Sequence, residues 1–135
     1  MTVAAAQPVV LLVEDEELVR VMTQRYLGAR GFTVLAASTG ADAVRLVADT
    51  RPHVDVVLTD VVMPGMSGPD LVRRLDPMLD QPAVIFMSGY TADKLGPLDG
   101  SAEFMPKPFA LDALAKTLVR VVGAYRARPR HSAGS

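Results

Sequence analysis

The sequence predicts an α/β fold in which a parallel sheet of five strands is covered by helices on both faces. Two observations support this fold class. Five apolar runs of strand length alternate along the chain with five segments that have helical signals. The connections between them are short, as in repeated strand and helix units, and right-handed crossovers then leave few topologies.

The five predicted strands are apolar runs that end at polar residues. Continuous runs of this kind are typical of parallel strands buried on both faces. Two of the runs contain a charge, the third at Asp55 and the fifth at Glu103. The predicted strands cover residues 8–13, 32–36, 54–59, 83–87 and 102–105.

The first and last helices are predicted from the spacing of their apolar residues. The first covers residues 16–29, and the last runs to Tyr125. The residues of the first helix that share one stripe are Leu18, Val19, Met22 and Tyr26. Those of the last helix are Leu111, Leu114, Leu118, Val121 and Tyr125.

Cap signals mark the start of the second and third helices. Thr39 precedes Asp42 by three residues, and Ser67 precedes Asp70 in the same way. Pro69 is tolerated in the first turn. The residues predicted to face inward are Ala43, Val44, Val47, Leu71, Val72 and Leu75. Because the fourth helical segment, 91–101, is rich in Gly and Pro, we expect it to be short or irregular.

The size and composition indicate one domain and exclude several function classes. We expect a single domain over 1–135, with a core of about 8–125 and a flexible basic tail at 127–135. The net charge of -1 argues against direct nucleic-acid binding, and the lack of cysteine excludes a disulfide framework or a thiolate metal site. No apolar run approaches the ~20 residues of a membrane span, and the first residues lack a signal peptide. We therefore expect a cytoplasmic protein without membrane insertion.

Charged and hydroxyl side chains follow four of the predicted strands. They are Glu14 and Asp15, Asp60, Ser88 and Lys107. The carboxyl ends of parallel strands share one edge of the sheet, where ligands bind in open α/β folds. Three carboxylates placed together repel one another and call for a cation. Oxygen ligands suit Mg²⁺ best, with Ca²⁺ and Mn²⁺ as competitors.

This set of groups is equipped for phosphoryl transfer. Asp60 can attack a phosphoryl group as a nucleophile, while Mg²⁺ and Lys107 balance the charge on its oxygens and Ser88 donates a hydrogen bond. The product is an aspartyl phosphate.

Four segments of the chain resemble the receiver domains of two-component response regulators. They are Leu-Leu-Val-Glu-Asp at 11–15, Thr-Asp-Val-Val-Met-Pro-Gly-Met-Ser-Gly at 59–68, Phe-Met-Ser-Gly-Tyr at 86–90 and Phe-Met-Pro-Lys-Pro-Phe at 104–109. The resemblance covers roughly 8–125 and looks most like receivers associated with hybrid sensor histidine kinases. It implies a flavodoxin-like (βα)5 fold with strand order 2-1-3-4-5.

The resemblance also implies roles for single residues. Asp60 becomes the phosphoacceptor, and Mg²⁺ is held by Asp15, Asp60 and the backbone carbonyl of Val62. Glu14 acts through a metal-bound water. The implied donor is a histidine kinase or a phosphotransfer protein, and a downstream protein is a possible output partner. Such a domain is not a metabolic enzyme, since it only transfers a phosphoryl group to itself and loses it slowly.

Two further features follow from the resemblance. Ser88 and Phe104 become the switch pair, and the Lys107-Pro108 peptide is expected to be cis. Phe104 replaces the more frequent Tyr, so the switch must work by packing alone. Glu14 stands where Asp is frequent, and the segment between Ser88 and Lys107 is shorter than usual.

The residues beside the phosphoacceptor predict a long-lived phosphoryl group. Val62 lies two residues beyond Asp60 and cannot orient water, while Tyr90 lies two residues beyond Ser88. We therefore expect slow self-dephosphorylation, limited by the access of water.

Two other functions remain open from the sequence. An acidic strand-end site also fits a Mg-dependent phosphohydrolase of small molecules, although 135 residues leave little room for a cap. A pseudo-receiver that binds without being phosphorylated is the other. Outside the site, we expect His53 and His131 to be solvated, and we expect the arginines of the basic tail to be solubilising. These arginines are Arg126, Arg128 and Arg130.

Overall fold

A single five-stranded parallel sheet forms the centre of the computed structural model, which describes residues 6–89 and 102–129. The strand order is β2-β1-β3-β4-β5, which confirms the order implied by the sequence resemblance. The strands are β1 (Val9–Val13), β2 (Thr33–Ala37), β3 (Val56–Asp60), β4 (Ala83–Ser88) and β5 (Glu103–Pro106).

Helices cover both faces of the sheet. They are α1 (Glu17–Ala29), α2 (Gly40–Thr50), α3 (Gly68–Leu75) and α4 (Leu111–Ala127), with a 3₁₀ turn at Asp76–Met78. The predicted helical segment at 91–101 lies outside the described residues, as do Tyr90, Arg130 and His131. No helix in the described ranges combines the length and the apolar character needed to cross a membrane.

The core consists of two apolar layers, because successive residues of a strand point to opposite faces of the sheet. One layer joins β1, β3 and β4 to α1 and α4 through Val10, Leu12, Leu58, Ile85, Leu27, Leu114 and Leu118. The other joins β1 and β3 to α2 and α3 through Leu11, Val13, Val57, Ala43, Val47, Leu71 and Leu75. The predicted inward residues of α2 and α3 therefore lie in or against the core.

Both predicted helix caps are confirmed. The Thr39 hydroxyl accepts a hydrogen bond from the Asp42 N–H at 3.0 Å, and the Ser67 hydroxyl accepts one from the Asp70 N–H at 3.2 Å. Each cap satisfies a backbone donor at the start of its helix and stabilises the helix by about 1 kcal/mol.

The apolar stripe predicted for α1 is only partly buried. Leu18 and Met22 are 72% and 52% exposed, whereas Thr23 and Leu27 are buried. The helix therefore contacts the sheet along a line about one residue, or roughly 100°, away from the stripe that the apolar residues suggest. Leu27 in the core fixes this rotation, and the two large apolar side chains remain on the surface.

A buried carboxylate, Asp55, ties together three parts of the chain at the amino end of β3. Its side chain is 1% exposed and accepts hydrogen bonds from the Val9 N–H at 2.8 Å and from Nε and Nη2 of Arg126 at 3.2 and 3.3 Å. Nε2 of His53 lies 3.2 Å from the same carboxylate. His53 is 55% exposed, as expected, and in addition contacts Asp55. The expectation that Arg126 only makes the chain soluble is wrong.

The end of α4 is also anchored. Within the predicted flexible tail, Ala127 still belongs to the helix, and the Arg128 guanidinium donates to the backbone carbonyls of Asp80 and Gln81. The same guanidinium lies 3.9 Å from the centre of the Tyr125 ring. These contacts join the helix terminus to the turn before β4.

The environment of Asp55 favours its charged form. Burial alone would raise its pKa, but the hydrogen bonds from Arg126, the Val9 N–H and His53 outweigh burial and hold the pKa below its usual value. A depressed native-state pKa means that the unfolded state takes up protons first as the pH falls. This stabilisation is present above the unfolded-state pKa of about 3.9 and is lost as the pH falls through the native-state pKa.

We expect Asp55→Asn to lower the free energy of unfolding by about 2 kcal/mol at pH 7, because a charged acceptor of several hydrogen bonds is lost. The difference in the free energy of unfolding between variant and wild type should shrink below about pH 4, where the carboxylate of the unfolded wild-type chain begins to be protonated. Urea unfolding at pH 7 and pH 3 measures both values. Asp49→Asn, at an exposed position of α2, is the control. An equal difference at the two pH values would contradict the assignment.

Candidate functional site

The strand register brings the predicted site residues to one edge of the sheet. Val13 pairs with Thr59, so the residues that follow them, Glu14 and Asp60, are neighbours. Asp60 pairs with Met87 on β4, and Ser88 pairs with Pro106 on β5. Lys107 therefore follows directly at the same edge.

A lysine bridges two buried carboxylates at this edge. Nζ of Lys107 lies 2.6 Å from Oε1 of Glu14 and 2.6 Å from Oδ1 of Asp60. Glu14 is 0% exposed and Asp60 is 4% exposed, so neither carboxylate is solvated. One ammonium group therefore offsets the mutual repulsion of two buried acids.

A third acid and an unsatisfied oxygen complete the cluster. Asp15 is exposed, and oxygens of the Glu14, Asp15 and Asp60 carboxylates lie within 4.8 Å of one another. Oδ2 of Asp60 is buried and has no hydrogen-bond partner among the residues that the structure describes. A buried acceptor without a donor is costly, and an all-oxygen ligand set is the kind that hard divalent cations prefer. The residues present therefore fit such a cation.

The pKa values of the three central groups reflect this crowding. Burial first, and then the adjacent Glu14, raise the pKa of Asp60 to about 8, against the opposing effect of Lys107. Burial opposes the ionisation of Glu14 too, but its hydrogen bonds to Asp60 and Lys107 hold its pKa below the usual value. Burial would lower the pKa of Lys107, and the two carboxylates raise it instead. A bound cation would favour the ionised form of Asp60.

The loop after β3 is packed tightly under Asp60. The Val61 N–H donates to the Met87 carbonyl at 3.0 Å, and the Gly68 N–H donates to the Val61 carbonyl at 2.8 Å. A Cβ atom on Gly68 would lie 2.3 Å from the backbone oxygen of Asp60, too close for any side chain. Gly65 has a φ of 84°, in the region that favours glycine. These glycines allow α3 to begin directly beside the acid.

The remaining predicted residues lie around the cluster. Val62 is 61% exposed, whereas Ser88 is buried and its carbonyl accepts the Lys107 N–H at 2.7 Å. Phe104 is half-buried and pairs with Phe86, two residues before Ser88. Alternation along a strand therefore places Ser88 and Phe104 on the same face of the sheet. The Lys107-Pro108 peptide is cis, as the resemblance implies.

Sequence reasoning missed Arg20. This residue lies in α1, and its Nη1 donates to the backbone carbonyl of Glu14 at 2.9 Å. Its position on the first helix after the acidic pair is a weak signal, because basic residues are common on helix surfaces. Only the folded chain shows that its side chain turns back toward the strand end.

The family of the chain follows from the match of residues 10–119 to the response regulator receiver domain. The chain belongs to this family. This receiver domain is part of two-component phosphorelay signalling, and its acidic pocket is compatible with phosphorylation of an aspartate in the presence of Mg²⁺. Nothing in the family match indicates a metabolic enzyme.

Hybrid kinase receivers are among its relatives. Over 112 residues the chain is 44% identical to the sensor kinase CckA of Brucella abortus, covering 81% of this chain and 12% of that protein. It is 33% identical over 108 residues to the response regulator MprA of Mycobacterium sp. (strain KMS), covering 78% of this chain and 46% of that protein. The chain thus spans less than half of either relative.

A solved structure supports both the fold and the kinship. The crystal structure of the receiver domain from the hybrid histidine kinase CckA aligns with a TM-score of 0.74 at 33% identity. The alignment covers 84% of this chain and 98% of that one. The flavodoxin-like fold class predicted from the sequence is confirmed.

We expect Gly68→Ala to lower the free energy of unfolding by about 1–3 kcal/mol, because the added Cβ would press on the backbone of Asp60 and the helix start would have to move. Gly123→Ala in α4 is the matched control, since a Cβ there meets nothing within 4 Å. It should instead stabilise the helix by up to about 1 kcal/mol. Urea unfolding measures both changes, and equal effects of the two substitutions would contradict the close contact of Gly68 with the backbone of Asp60.

Proposed function

We propose that Asp60 accepts a phosphoryl group from the phosphohistidine of a histidine kinase or phosphotransfer protein, and that the domain then changes its binding to a downstream protein. The observation that carries the proposal is the meeting of buried Asp60 with Lys107 and two further acids at one sheet edge. A nucleophile, a mobile positive charge and a cation site are the parts that phosphoryl transfer needs.

We assign the cation to Mg²⁺. Asp15, Asp60 and the backbone carbonyl of Val62 would hold it, with Glu14 acting through a water. The all-oxygen cluster and the unpartnered Oδ2 of Asp60 support this assignment. When bound, Mg²⁺ supplies positive charge that balances the oxygens of the transferred group.

The transfer itself requires little more than correct placement of the chain's own groups. The ionised Asp60 carboxylate forms the new bond to phosphorus as the bond from phosphorus to the donor imidazole nitrogen breaks, and that nitrogen takes up a proton. Lys107, now shared by Glu14 and Asp60, moves to a phosphoryl oxygen. The Ser88 hydroxyl, from the next strand end, donates a hydrogen bond to another.

The Ser88 and Phe104 pair would carry the signal away from the site. Their positions on one face of the sheet support a shared movement, in which Phe104 follows Ser88 by repacking. Phe104 has no hydroxyl, so the two states differ in packing and not in a hydrogen bond. The output is then a population shift that a protein partner reads.

The wider setting of the domain is part of the same proposal. We assign 1–135 to a single receiver domain with a core of about 8–125, acting in the cytoplasm without membrane insertion or direct contact with nucleic acid. The net charge of -1 supports the last point. The domain transfers a phosphoryl group only to itself, and so is not a metabolic enzyme.

We expect Asp60→Asn to abolish acid-labile labelling by a phosphohistidine donor or by acetyl phosphate, because an amide is not a nucleophile for phosphorus. Asp76→Asn, an exposed aspartate beyond α3, should keep full labelling. Removal of Mg²⁺ from the wild type should reduce labelling almost as far as Asp60→Asn does. Undiminished labelling of Asp60→Asn would end the proposal, and repeated turnover of a phosphorylated metabolite would favour a phosphohydrolase.

We expect slow self-dephosphorylation in the wild type and a roughly tenfold faster loss in Val62→Asn. The amide can hold a water near the phosphoryl group, and one such hydrogen bond corresponds to about that change in rate. The decay of the labelled protein in Mg²⁺ buffer measures both rates. Val119→Asn, at an equally exposed valine of α4, is the control. A wild-type lifetime of seconds that Val62→Asn leaves unchanged would refute this account.

A further inference from the structure

The loop between β1 and α1 carries two of the three acids, but it holds them in different ways. The Glu14 side chain is fixed by Lys107 and by the Glu16 N–H, which donates to its Oε2 at 3.2 Å. The Asp15 carboxylate is exposed and makes no hydrogen bond or ion pair within the described ranges. The direction of Asp15 is therefore set by the backbone on either side of it.

Arg20 contacts the backbone on both sides of Asp15. Its Nη1 donates at 2.9 Å to the carbonyl of Glu14, which belongs to the peptide that leads into Asp15. Its own N–H donates at 2.9 Å to the carbonyl of Glu16, the residue that follows. Arg20 thus contacts the carbonyls of both neighbours of Asp15, that of Glu16 through an ordinary helical backbone bond and that of Glu14 through its side chain.

The side chain of Arg20 acts here as a hydrogen-bond donor and not as an ion-pair partner. None of the ion pairs in 6–89 and 102–129 includes Arg20, although three carboxylates lie at this edge of the sheet. A charged donor to a neutral carbonyl is among the stronger hydrogen bonds of a protein. The bond fixes the plane of the peptide between Glu14 and Asp15.

We infer that Arg20 is a positioning residue that directs Asp15 into the acidic cluster before a cation arrives. The inference rests on the Mg²⁺ site of the proposed function and adds a residue that does not touch the ion. Without the bond to Glu14, the peptide rotates more freely and Asp15 must be ordered when the cation binds. Loss of such supporting partners typically weakens metal binding by 10-fold or more.

The test compares the Mg²⁺ affinities of two variants that each lose one positive charge. Only one of them also loses the hydrogen bond to the Glu14 carbonyl. Arg20→Met removes both the donor and the charge, and Arg25→Met removes an equal charge from an exposed position of the same helix. Mg²⁺ titrations followed by the amide resonances of Asp15 and Asp60 give the Kd of each protein. We expect a roughly tenfold higher Kd for Arg20→Met and the wild-type Kd for Arg25→Met.

Two further readouts separate positioning from a general loss of structure. At saturating Mg²⁺, Arg20→Met should recover the wild-type rate of labelling by acetyl phosphate. Arg20→Lys keeps the positive charge but replaces the planar guanidinium with a shorter ammonium group, and should have an intermediate Kd for Mg²⁺. If Arg20→Met does not fold, the Kd of Arg20→Lys decides the question.

The outcomes are distinct. Equal Kd values for Arg20→Met and Arg25→Met, or a wild-type Kd for Arg20→Lys where Arg20→Met is unfolded, would overturn the role of Arg20. If the wild type binds Mg²⁺ and is labelled normally, only this inference fails. If the wild type itself neither binds Mg²⁺ nor accepts a phosphoryl group, the proposed function fails and Arg20 loses its role with it.

Discussion

The contact of one ammonium group with two buried carboxylates is the constraint on which this domain depends. Without Lys107, Glu14 and Asp60 would face each other in a medium of low polarity, at a cost that few folds tolerate. The lysine reaches them from the end of β5, so the charge balance is complete only when β1, β3 and β5 end at the same edge. The parallel register supplies that alignment, and the glycines after β3 let the chain turn away without covering the acid.

The two ends of β3 show how the same residue type serves two purposes. Asp55 at the amino end is fully buried, and its carboxylate is surrounded by donors from β1, α4 and the preceding turn. Asp60 at the carboxyl end is almost as deeply buried, yet one of its oxygens has no hydrogen-bond partner within 6–89 and 102–129. At Asp55 the hydrogen bonds outweigh burial and lower the pKa, whereas at Asp60 burial and the adjacent Glu14 outweigh Lys107 and raise the pKa. The difference lies in the neighbours that the fold supplies, which are hydrogen-bond donors around Asp55 and a second acid beside Asp60.

Much of this arrangement is predictable from the sequence because it depends on local signals. Apolar runs, caps and strand-end polar residues give the strand positions, the starts of α2 and α3, and the groups that meet at the site. The remainder depends on tertiary contacts. The hydrogen bond between Asp55 and Arg126 joins residues 71 positions apart, and the sequence around neither residue predicts it. The rotation of α1 is likewise set by the depth of Leu27 in the core, and not by the placement of Leu18 and Met22.

The close approach of Gly68 to the backbone of Asp60 has a mechanical consequence. On the side of α3, the backbone of Gly68 lies directly against the backbone of Asp60, and peptide groups in such contact bend little. On the opposite side the pocket is joined to β5 by the Lys107 side chain, whose four-carbon stem has several rotatable bonds. The pocket thus has one stiff wall and one compliant wall. We therefore expect a change of charge at Asp60 to move the Lys107 side chain before it moves the start of α3.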